Sequence, residues 1–278
     1  MQKGLFIENI TNIDSSFFDQ EIGIVGETYI VDMHLYGQLN DEDMIIDFST
    51  IKKDAKAFID EHLDHLFLVP KQNKHIKVQQ HPSHYEVHGH YGPGDKKHKK
   101  LHYIAPHAAL TLIDSTHISP ESLVDYLEQN LTPQLPKNIQ KVCYTLRYEA
   151  IPGPYFRYSH GLRNHQGNCQ RLIHGHRSKM LILNQDQLDK ECTQAQCQAW
   201  QVIYLVDQHD IQNRYQEENI DYLSIAYDAP QGHFSLSLPE QDCQIMPKLV
   251  TIENIADFLY QKHVSLKSNT QVRVYEGL

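Results

Sequence analysis

Several short stretches of the chain alternate between apolar and polar residues, the pattern of a β-strand that buries one face. The clearest stretch is 29–36, where Tyr29, Val31, Met33 and Leu35 fall on the same side. Further strands are predicted at 44–48 (after a turn at 40–43), 140–148, 180–183, 222–227, 234–238 and 270–275. The pattern therefore indicates a chain rich in short strands.

Apolar residues three and four positions apart predict an amphipathic helix over 51–63, which Ser49 or Thr50 can cap. Two more helices are predicted at 119–127 and 251–259. Both begin with a hydroxyl residue, Ser119 or Thr251, which suits the cap position, and both carry a glutamate two residues later. The two segments also share the order Leu or Ile, Asp, Tyr or Phe, and Leu.

These two helices belong to a longer repeat. Each is followed by a predicted strand, and the two strands end in the same pair, Tyr148-Glu149 and Tyr275-Glu276. Such a repeat indicates two homologous modules, roughly 1–150 and 151–278. Two strand-rich modules with two helices each predict an α+β fold with antiparallel sheet.

The segment 71–100 interrupts this pattern because it is polar, rich in His and Lys, and contains Gly92-Pro93-Gly94. We expect a long, solvated and mobile excursion. It includes His88-Gly89-His90, which has no apolar strand behind it. We expect this His-Gly-His to be part of a solvated loop and to bind no metal.

Composition excludes several classes of function. The 278 residues carry 25 Lys and Arg against 35 Asp and Glu, a formal net charge of −10, which disfavours a general binder of nucleic acid or of anionic membranes. No apolar run approaches the roughly 20 residues that cross a bilayer. The N-terminal residues lack the apolar region of a signal peptide, and five scattered cysteines form no disulfide framework, so a cytoplasmic location is expected. The 19 histidines direct attention to metal or proton-transfer chemistry.

One cluster of residues fits such chemistry. His174 and His176 lie two apart at the start of an apolar strand, so both imidazoles point to the same face. His160 can return on the partner strand of a hairpin and supply a third nitrogen. Three histidines with an open fourth position are typical of catalytic zinc. Cys169, in the connecting loop, is placed beside the predicted metal as a reactive thiolate.

The run His160, Cys169, His174-Gly175-His176 resembles the zinc-and-cysteine segment of the 6-pyruvoyl- and 6-carboxy-tetrahydropterin synthases. In the first module, MIIDFSTIKK at 44–53 and LDHLFL at 63–68 are similar to that family's Met-x-x-Asp-Phe turn and Leu-Asp-His motif. The resemblance spans nearly the whole chain. It implies two tandem tunnelling-fold modules, each an antiparallel four-stranded sheet with two helices on one face.

The departures from this family are complementary. The first module has Val25-Gly26-Glu27 where the family has His-Gly-His, but it keeps Asp64-His65. The second module keeps the zinc histidines and the cysteine but has no Leu-Asp-His. Family members build their site across a subunit contact, so one complete site is expected where Asp64-His65 meets the metal of the second module. If every contact joins unlike modules, the chain should form a homo-oligomer with an even number of modules in each ring.

The resemblance also implies a reaction and residue roles. The substrate would be a small-molecule pterin triphosphate, 7,8-dihydroneopterin triphosphate, bound at Zn²⁺ on the three histidines. Cys169 would act as general base beside a protonated His65, which Asp64 would orient.

The same resemblance gives the substrate-binding residues. Glu276 would anchor the pterin by two parallel hydrogen bonds. Thr251 and Glu253 would lie beside that pocket. Glu149 holds the equivalent position in the first module and is an alternative anchor, and Thr251 can equally be a helix cap alone.

Three functions compete. The leading hypothesis is a zinc-dependent carbon–oxygen lyase, with the 6-carboxy product of the bacterial 7-deazaguanine and queuosine route favoured over the 6-pyruvoyl product by analogy. The second is a pterin- or purine-binding protein without turnover, which would have no need of Cys169 or Asp64-His65. The third is metal buffering by the His-rich stretch 75–107, which would bind several weakly held ions.

Overall fold

The chain folds into two modules that repeat one order of strands and helices. The computed structural model describes residues 3–95, 97–264 and 269–276. The helices are α1 Phe48–His62, α2 Pro120–Asn130, α3 Lys190–Ala199 and α4 Ile252–Val264. The strands of the first module are β1 Lys3–Asp19, β2 Gly23–Gly37, β3 Phe67–Pro70, β4 Ile76–Gln80, β5 His84–Tyr91, β6 Lys99–Pro106, β7 Leu110–Ile113 and β8 Ile139–Tyr148. Those of the second are β9 Phe156–His160, β10 His174–Ser178, β11 Met180–Asn184, β12 Gln187–Leu188, β13 Ile203–Asp207, β14 Ile211–Glu217, β15 Ile220–Ala229, β16 Gly232–Pro239, β17 Cys243–Met246 and β18 Thr270–Val274.

The main sheet of the first module has the strand order β7-β3-β1-β2-β8. β1, β2 and β8 are antiparallel neighbours, whereas β3 runs parallel to β1 and β7 runs parallel to β3. α1 and α2 share one hydrophobic core with β1, β2 and β8, so both helices lie on one face of the sheet. The α+β class and the two helices on one face are as predicted, while the sheet has five strands and is mixed.

The second module repeats this arrangement with one interruption. Its strands form the order β10-β9-β13-β17 and, separately, β12-β11-β18. β10 and β11 together take the place of β2, because β10 pairs with β9 and β11 pairs with β18, as β2 pairs with β1 and β8. α3 and α4 pack with β9 and β11 in a core of their own.

A six-stranded sheet joins the two modules. Its order is β14-β15-β16-β6-β5-β4, with three strands from each module and a junction at which Leu236 pairs with Tyr103. The prediction of a mobile excursion at 71–100 is therefore wrong, because these residues contain β4, β5 and the start of β6. Val87, Tyr91 and Leu101 alternate into the core on these strands. The outward positions carry the His and Lys residues that hid this alternation in the sequence.

The strand predicted at 44–48 is also wrong. The side chain of Asn40 accepts hydrogen bonds from the backbone N–H groups of Glu42 and Met44, both at 3.0 Å, which holds the segment in a turn. α1 then begins at Phe48, and its cap is Asp47 in place of Ser49 or Thr50, since the Asp47 carboxylate accepts from the N–H of Thr50 at 2.8 Å.

Other local predictions are confirmed. Ser119 caps α2 through a hydrogen bond from the N–H of Ser122, and the Thr251 hydroxyl accepts from the N–H of Asn254 at 3.3 Å at the start of α4. β8 and β18 follow these helices as expected. No helix in the described ranges is long and apolar enough to cross a membrane.

The modules meet back to back along β1–β2 and β9–β10. Ser16 pairs with Gly26 in one hairpin and Ser159 pairs with Gly175 in the other, and the Ser16 hydroxyl donates to the Ser159 hydroxyl at 2.7 Å. A Cβ atom on Gly175 would lie 2.7 Å from the Cα of Gly26 and 2.4 Å from the carbonyl oxygen of Tyr158. The backbones thus touch along a pseudo-twofold axis, and equivalent residues of the two modules lie at opposite ends of this contact.

Candidate active site

Three histidines of the second module converge at one end of the module contact. His174 pairs with His160 across β10–β9, and His176 lies two residues further along β10 on the same face. All three are buried, at 3% exposure or less. One ring nitrogen of each lies within 4.8 Å of the others. The predicted histidine group is therefore assembled in space.

The chemistry of these nitrogens suits a metal ion. Burial lowers the pKa values of His160 and His174 well below 6.5, so both rings are neutral near pH 7. His174 Nδ1–H donates to the carbonyl oxygen of Arg171 at 3.0 Å, which leaves Nε2 with a free lone pair for a metal. The Nε2 atoms of all three histidines are buried without a hydrogen-bond partner. Such atoms are costly unless a ligand satisfies them, so the residues fit a metal.

Asp64 and His65 come from the first module and reach the same place. They follow α1 in a turn where His65 has φ +53°, a left-handed conformation that is uncommon in residues other than glycine. The N–H of His65 donates to the carbonyl of Asp14 at 2.9 Å, and its Nδ1 lies 2.6 Å from Asp64 Oδ2. The rings of His65 and His174 are 5.1 Å apart. Asp64-His65 of the first module and the three histidines of the second module therefore meet within a single chain.

Cys169 lies between these groups. His65, Cys169 and His174 each offer a ligand atom within 4.8 Å of the others. Although burial lowers the pKa of His65, its hydrogen bonds with Asp64 and Cys169 raise it to about 10. His65 is thus a protonated imidazolium between a carboxylate and a thiol, which is a geometry for moving a proton at sulfur.

The loop that carries Cys169 is fixed from both modules. Cys169 lies in a 3-10 turn, Asn168–Gln170, and its carbonyl accepts from the N–H of Leu162 at 2.9 Å. The hydroxyl of Tyr227 donates to the carbonyl of Gln170 at 2.8 Å, and Asn168 Nδ2 donates to the carbonyl of Asp60 at 3.4 Å. The cysteine is therefore held by the second module's hairpin and by α1 of the first module.

Asp14 is a site residue that sequence reasoning missed. Its Oδ1 lies 3.3 Å from His176 Nδ1 and accepts from the Thr28 hydroxyl at 2.6 Å. Its backbone N–H donates to Asp64 Oδ1 at 2.7 Å. Burial alone would raise the pKa of Asp14, but His176 and Thr28 lower it below its usual value. Asp14 thus orients a histidine of the predicted metal group and also supports the Asp64 carboxylate.

Arg171 was missed as well. It is buried, and its guanidinium donates to the carbonyl oxygens of Asp64 and His65 at 3.5 and 3.3 Å and to Gln231 Oε1 at 3.0 Å. It therefore clamps the left-handed turn. Neither Asp14 nor Arg171 stands in a recognisable motif, and only the three-dimensional contact between the modules reveals them.

The predicted substrate-binding residues are more dispersed. Glu149 is buried, and its N–H donates to the carbonyl of Thr28 at 3.3 Å. Glu276 is exposed; after burial itself, its charge is the largest contributor to the raised pKa of Tyr158, whose ring lies 5.1 Å from that of His176. Thr251 and Glu253 interact with each other in the first turn of α4.

The opposite end of the contact shows what the duplicated site has become. By strand register, the first module has Phe17, Val25 and Glu27 at the positions of His160, His174 and His176. The same register places Gln201 and Val202 at the positions of Asp64 and His65. Glu27 is 2% exposed and lies 3.7 Å from Arg157 and 3.4 Å from Arg177. An ion pair fills the place where a second metal group would stand.

Comparison with known families agrees with this geometry. The model of the family described as 6-pyruvoyl tetrahydropterin synthase matches residues 23–147 and again residues 154–277. The chain belongs to that family. Membership supports a lyase of the tetrahydropterin-synthase type in general, and the two separate matches agree with a tandem two-module member.

Searches for individual relatives add little to the family assignment. No match was found among curated proteins. Solved structures of 6-pyruvoyltetrahydropterin synthases are similar to about half of this chain at low identity. A Plasmodium vivax 6-pyruvoyltetrahydropterin synthase with a substituted catalytic residue is 18% identical, with a TM-score of 0.39, and the likeness covers 53% of this chain and 99% of that one. The Plasmodium falciparum synthase is 17% identical, with a TM-score of 0.40 and coverage of 53% and 98%.

Proposed function

We propose that this protein is a zinc-dependent carbon–oxygen lyase that acts on 7,8-dihydroneopterin triphosphate and gives a 6-carboxy- or 6-pyruvoyl-tetrahydropterin. The observation that carries the proposal is the meeting of Asp64-His65 with Cys169 and the three buried histidines inside one chain. A binder without turnover has no use for an imidazolium held at about pKa 10 next to a thiol.

The residues that would hold Zn²⁺ are His160, His174 and His176. Three neutral imidazoles are the donor set of catalytic zinc sites, which keep one position for substrate or water. When bound, the ion would supply Lewis-acid polarisation of the hydroxyl oxygens of the substrate side chain. Asp14 would strengthen this donor set by fixing the ring of His176.

Proton transfer falls to the chain's own residues. Cys169 Sγ would take a proton from a carbon of the substrate side chain, with His65 beside it. Asp64 holds the His65 ring by the 2.6 Å contact at Nδ1, so that the other ring nitrogen is available to the cysteine or the substrate. Arg171 would keep this pair in place through its contacts to the two carbonyls.

Pterin recognition is proposed for the glutamates that end the last strand of each module. A carboxylate accepts two parallel hydrogen bonds from an amino-pyrimidinone edge. Glu276 is the first choice because its charge reaches Tyr158, which packs against His160 and His176. Glu149 is the alternative. Thr251 and Glu253 would line the same pocket.

The test is to load the protein with Zn²⁺, add 7,8-dihydroneopterin triphosphate and follow triphosphate release. Release is expected from the wild type and should be lost in Cys169→Ala. Cys192→Ala, another partly buried cysteine, is the matched control and should keep activity. Pterin binding without release in the wild type would instead identify the non-catalytic binder. Product identification by mass would decide between the 6-carboxy and 6-pyruvoyl compounds.

We also propose, as predicted from the sequence, a cytoplasmic protein divided near residue 150 that assembles into rings with an even number of modules. The complete site within one chain supports unlike modules as the natural partners. Electron microscopy of the purified protein should show an even number of modules around each ring, with the two kinds of module alternating; three modules around one ring would contradict this.

A further inference from the structure

A second group of possible metal ligands lies on the outer face of the sheet that joins the modules. Glu86 and His88 are two residues apart on β5, and His88 pairs directly with His102 on β6. The three side chains therefore share one face. Their neighbours Val87 and Tyr103 point the other way, into the core. This group is separate from the histidines of the candidate active site.

The geometry of the group is convergent. Nε2 of His88 lies 3.0 Å from Glu86 Oε1, and Nε2 of His102 lies 2.9 Å from the same oxygen. A tetrahedral ion with bonds of 2.0–2.1 Å would separate its ligand atoms by about 3.3 Å, so these atoms need to part by only a few tenths of an ångström. The two rings are stacked, 4.5 Å apart and inclined by 14°, so both Nε2 atoms lie beside the shared Glu86 oxygen. Because their lone pairs lie in nearly parallel ring planes, one ring must rotate for both nitrogens to bind the same ion.

The surroundings suit an ion that keeps bound water. The side chains of His88 and His102 are 42% and 41% exposed, so the remaining coordination positions open to solvent. Nε2 of His81 lies 3.3 Å from the second oxygen of Glu86 but forms no hydrogen bond with it. Lys77 pairs with His88 across β4–β5. Its positive charge repels a cation bound at this group and therefore lowers the affinity of the group for metal.

We propose that Glu86, His88 and His102 form a second metal site, which binds one divalent ion of the imidazole-preferring class, such as Zn²⁺. Two imidazoles and one carboxylate favour Zn²⁺, Ni²⁺ or Cu²⁺ over Mg²⁺ or Ca²⁺. With only three protein ligands on an open sheet face, the site binds more weakly than the buried histidines. This proposal differs from the third hypothesis, because it assigns one ion to one defined site in place of several weakly held ions along residues 75–107.

The experiment measures Zn²⁺ stoichiometry and affinity by equilibrium dialysis with metal analysis. The wild type should bind two ions per chain in two separable steps. The double variant His88→Gln/His102→Gln should lose the weaker step and keep the tighter one. The double variant His160→Gln/His174→Gln should lose the tighter step and keep the weaker one, so the two sites are tested independently of each other and of catalysis.

Controls guard against general effects on folding or on surface charge. His90→Gln changes an exposed histidine of the same strand and should leave both steps unchanged. Lys77→Gln removes the opposing charge and should tighten the weaker step severalfold. Thermal unfolding of each metal-free variant checks that it folds. The proposal is overturned if His88→Gln/His102→Gln binds as many ions as the wild type with unchanged affinities.

Discussion

The two ends of the module contact are related by the same pseudo-twofold axis but hold opposite chemistry. At one end, Asp14 of the first module lies against His176 of the second. At the other end, Arg157, the counterpart of Asp14, lies against Glu27, the counterpart of His176. Each end thus pairs a charged residue of one module with a titratable residue on the facing strand of the other module. The end with His176 has buried histidine nitrogens that are available to an ion. At the end with Glu27, the buried carboxylate is paired with arginine.

This difference shows how a duplicated chain can specialise. In a symmetric pair of modules, any loss appears at both ends. Once the modules are joined and differ in sequence, each can discard the half of the site that faces the inactive end. The first module has Phe17, Val25 and Glu27 in place of the three histidines, the second has Gln201 and Val202 in place of Asp64 and His65, and a single site of this kind remains. Reciprocal substitutions at the two ends are therefore the sharpest tests of the comparison.

The largest expected effect is at Asp64. In Asp64→Asn, the His65 ring loses the carboxylate that fixes its orientation and charge, and turnover should fall by about 10²–10⁴-fold. Gln201→Asn, at the equivalent position of the inactive end, should leave turnover unchanged. Steady-state triphosphate release measures both. Equal losses in the two variants would mean that the two ends are not functionally different.

The next effect in size is on stability. Glu27→Ala leaves Arg157 and Arg177 facing each other without their carboxylate, and the free energy of unfolding should fall by about 3 kcal/mol. Glu21→Ala, on an exposed side chain nearby, is the control. Urea unfolding of the metal-free proteins gives the difference. A Glu27→Ala protein as stable as the wild type would show that the inactive end is not held by this ion pair.

A smaller effect is expected on metal affinity. Asp14→Asn weakens the hold on the His176 ring and should loosen Zn²⁺ at the three histidines by about 10–100-fold. Arg157→Lys, the equivalent change at the other end, should not alter metal affinity. Competition with a chelator measures this step, and an unchanged affinity in Asp14→Asn would remove Asp14 from the site.

The smallest effect concerns the axis itself. Ser16→Ala leaves the buried Ser159 hydroxyl without its partner, so unfolding should become easier by about 1 kcal/mol, and Ser159→Ala should act alike. The double variant should recover part of this loss because no orphaned hydroxyl remains. A double-mutant cycle from urea unfolding gives the coupling, and strict additivity would contradict a direct contact.

The sequence predicted those parts of the molecule whose information is local. The caps Ser119 and Thr251, the helices that follow them and the strands β8 and β18 depend on residues close in the chain. The meeting of Asp64-His65 with the histidines of the second module was predicted from complementary losses, and the structure shows this meeting within one chain. Family membership and the α+β class followed from the same motifs.

Other features depend on contacts that sequence does not display. The sequence predicts a loop in place of β4 and β5 because the outward faces of these strands carry His and Lys. These residues mask the alternation of apolar and polar positions, which becomes evident only once the core on the other face is known. α3 was missed because its buried positions include Thr193 and Gln196, which leave no apolar stripe. Asp14 is one acidic residue in a long strand, and its role arises from a residue 162 positions away.

Both halves of the candidate site belong to one polypeptide, and the ladder between β6 and β16 joins the two modules by hydrogen bonds. Dilution cannot separate them, since the local concentration of one half around the other is set by the tether and the sheet. Turnover per chain should therefore stay constant as the enzyme is diluted far below any dissociation constant between chains. A site shared by separate subunits would instead lose turnover as the subunits dissociate.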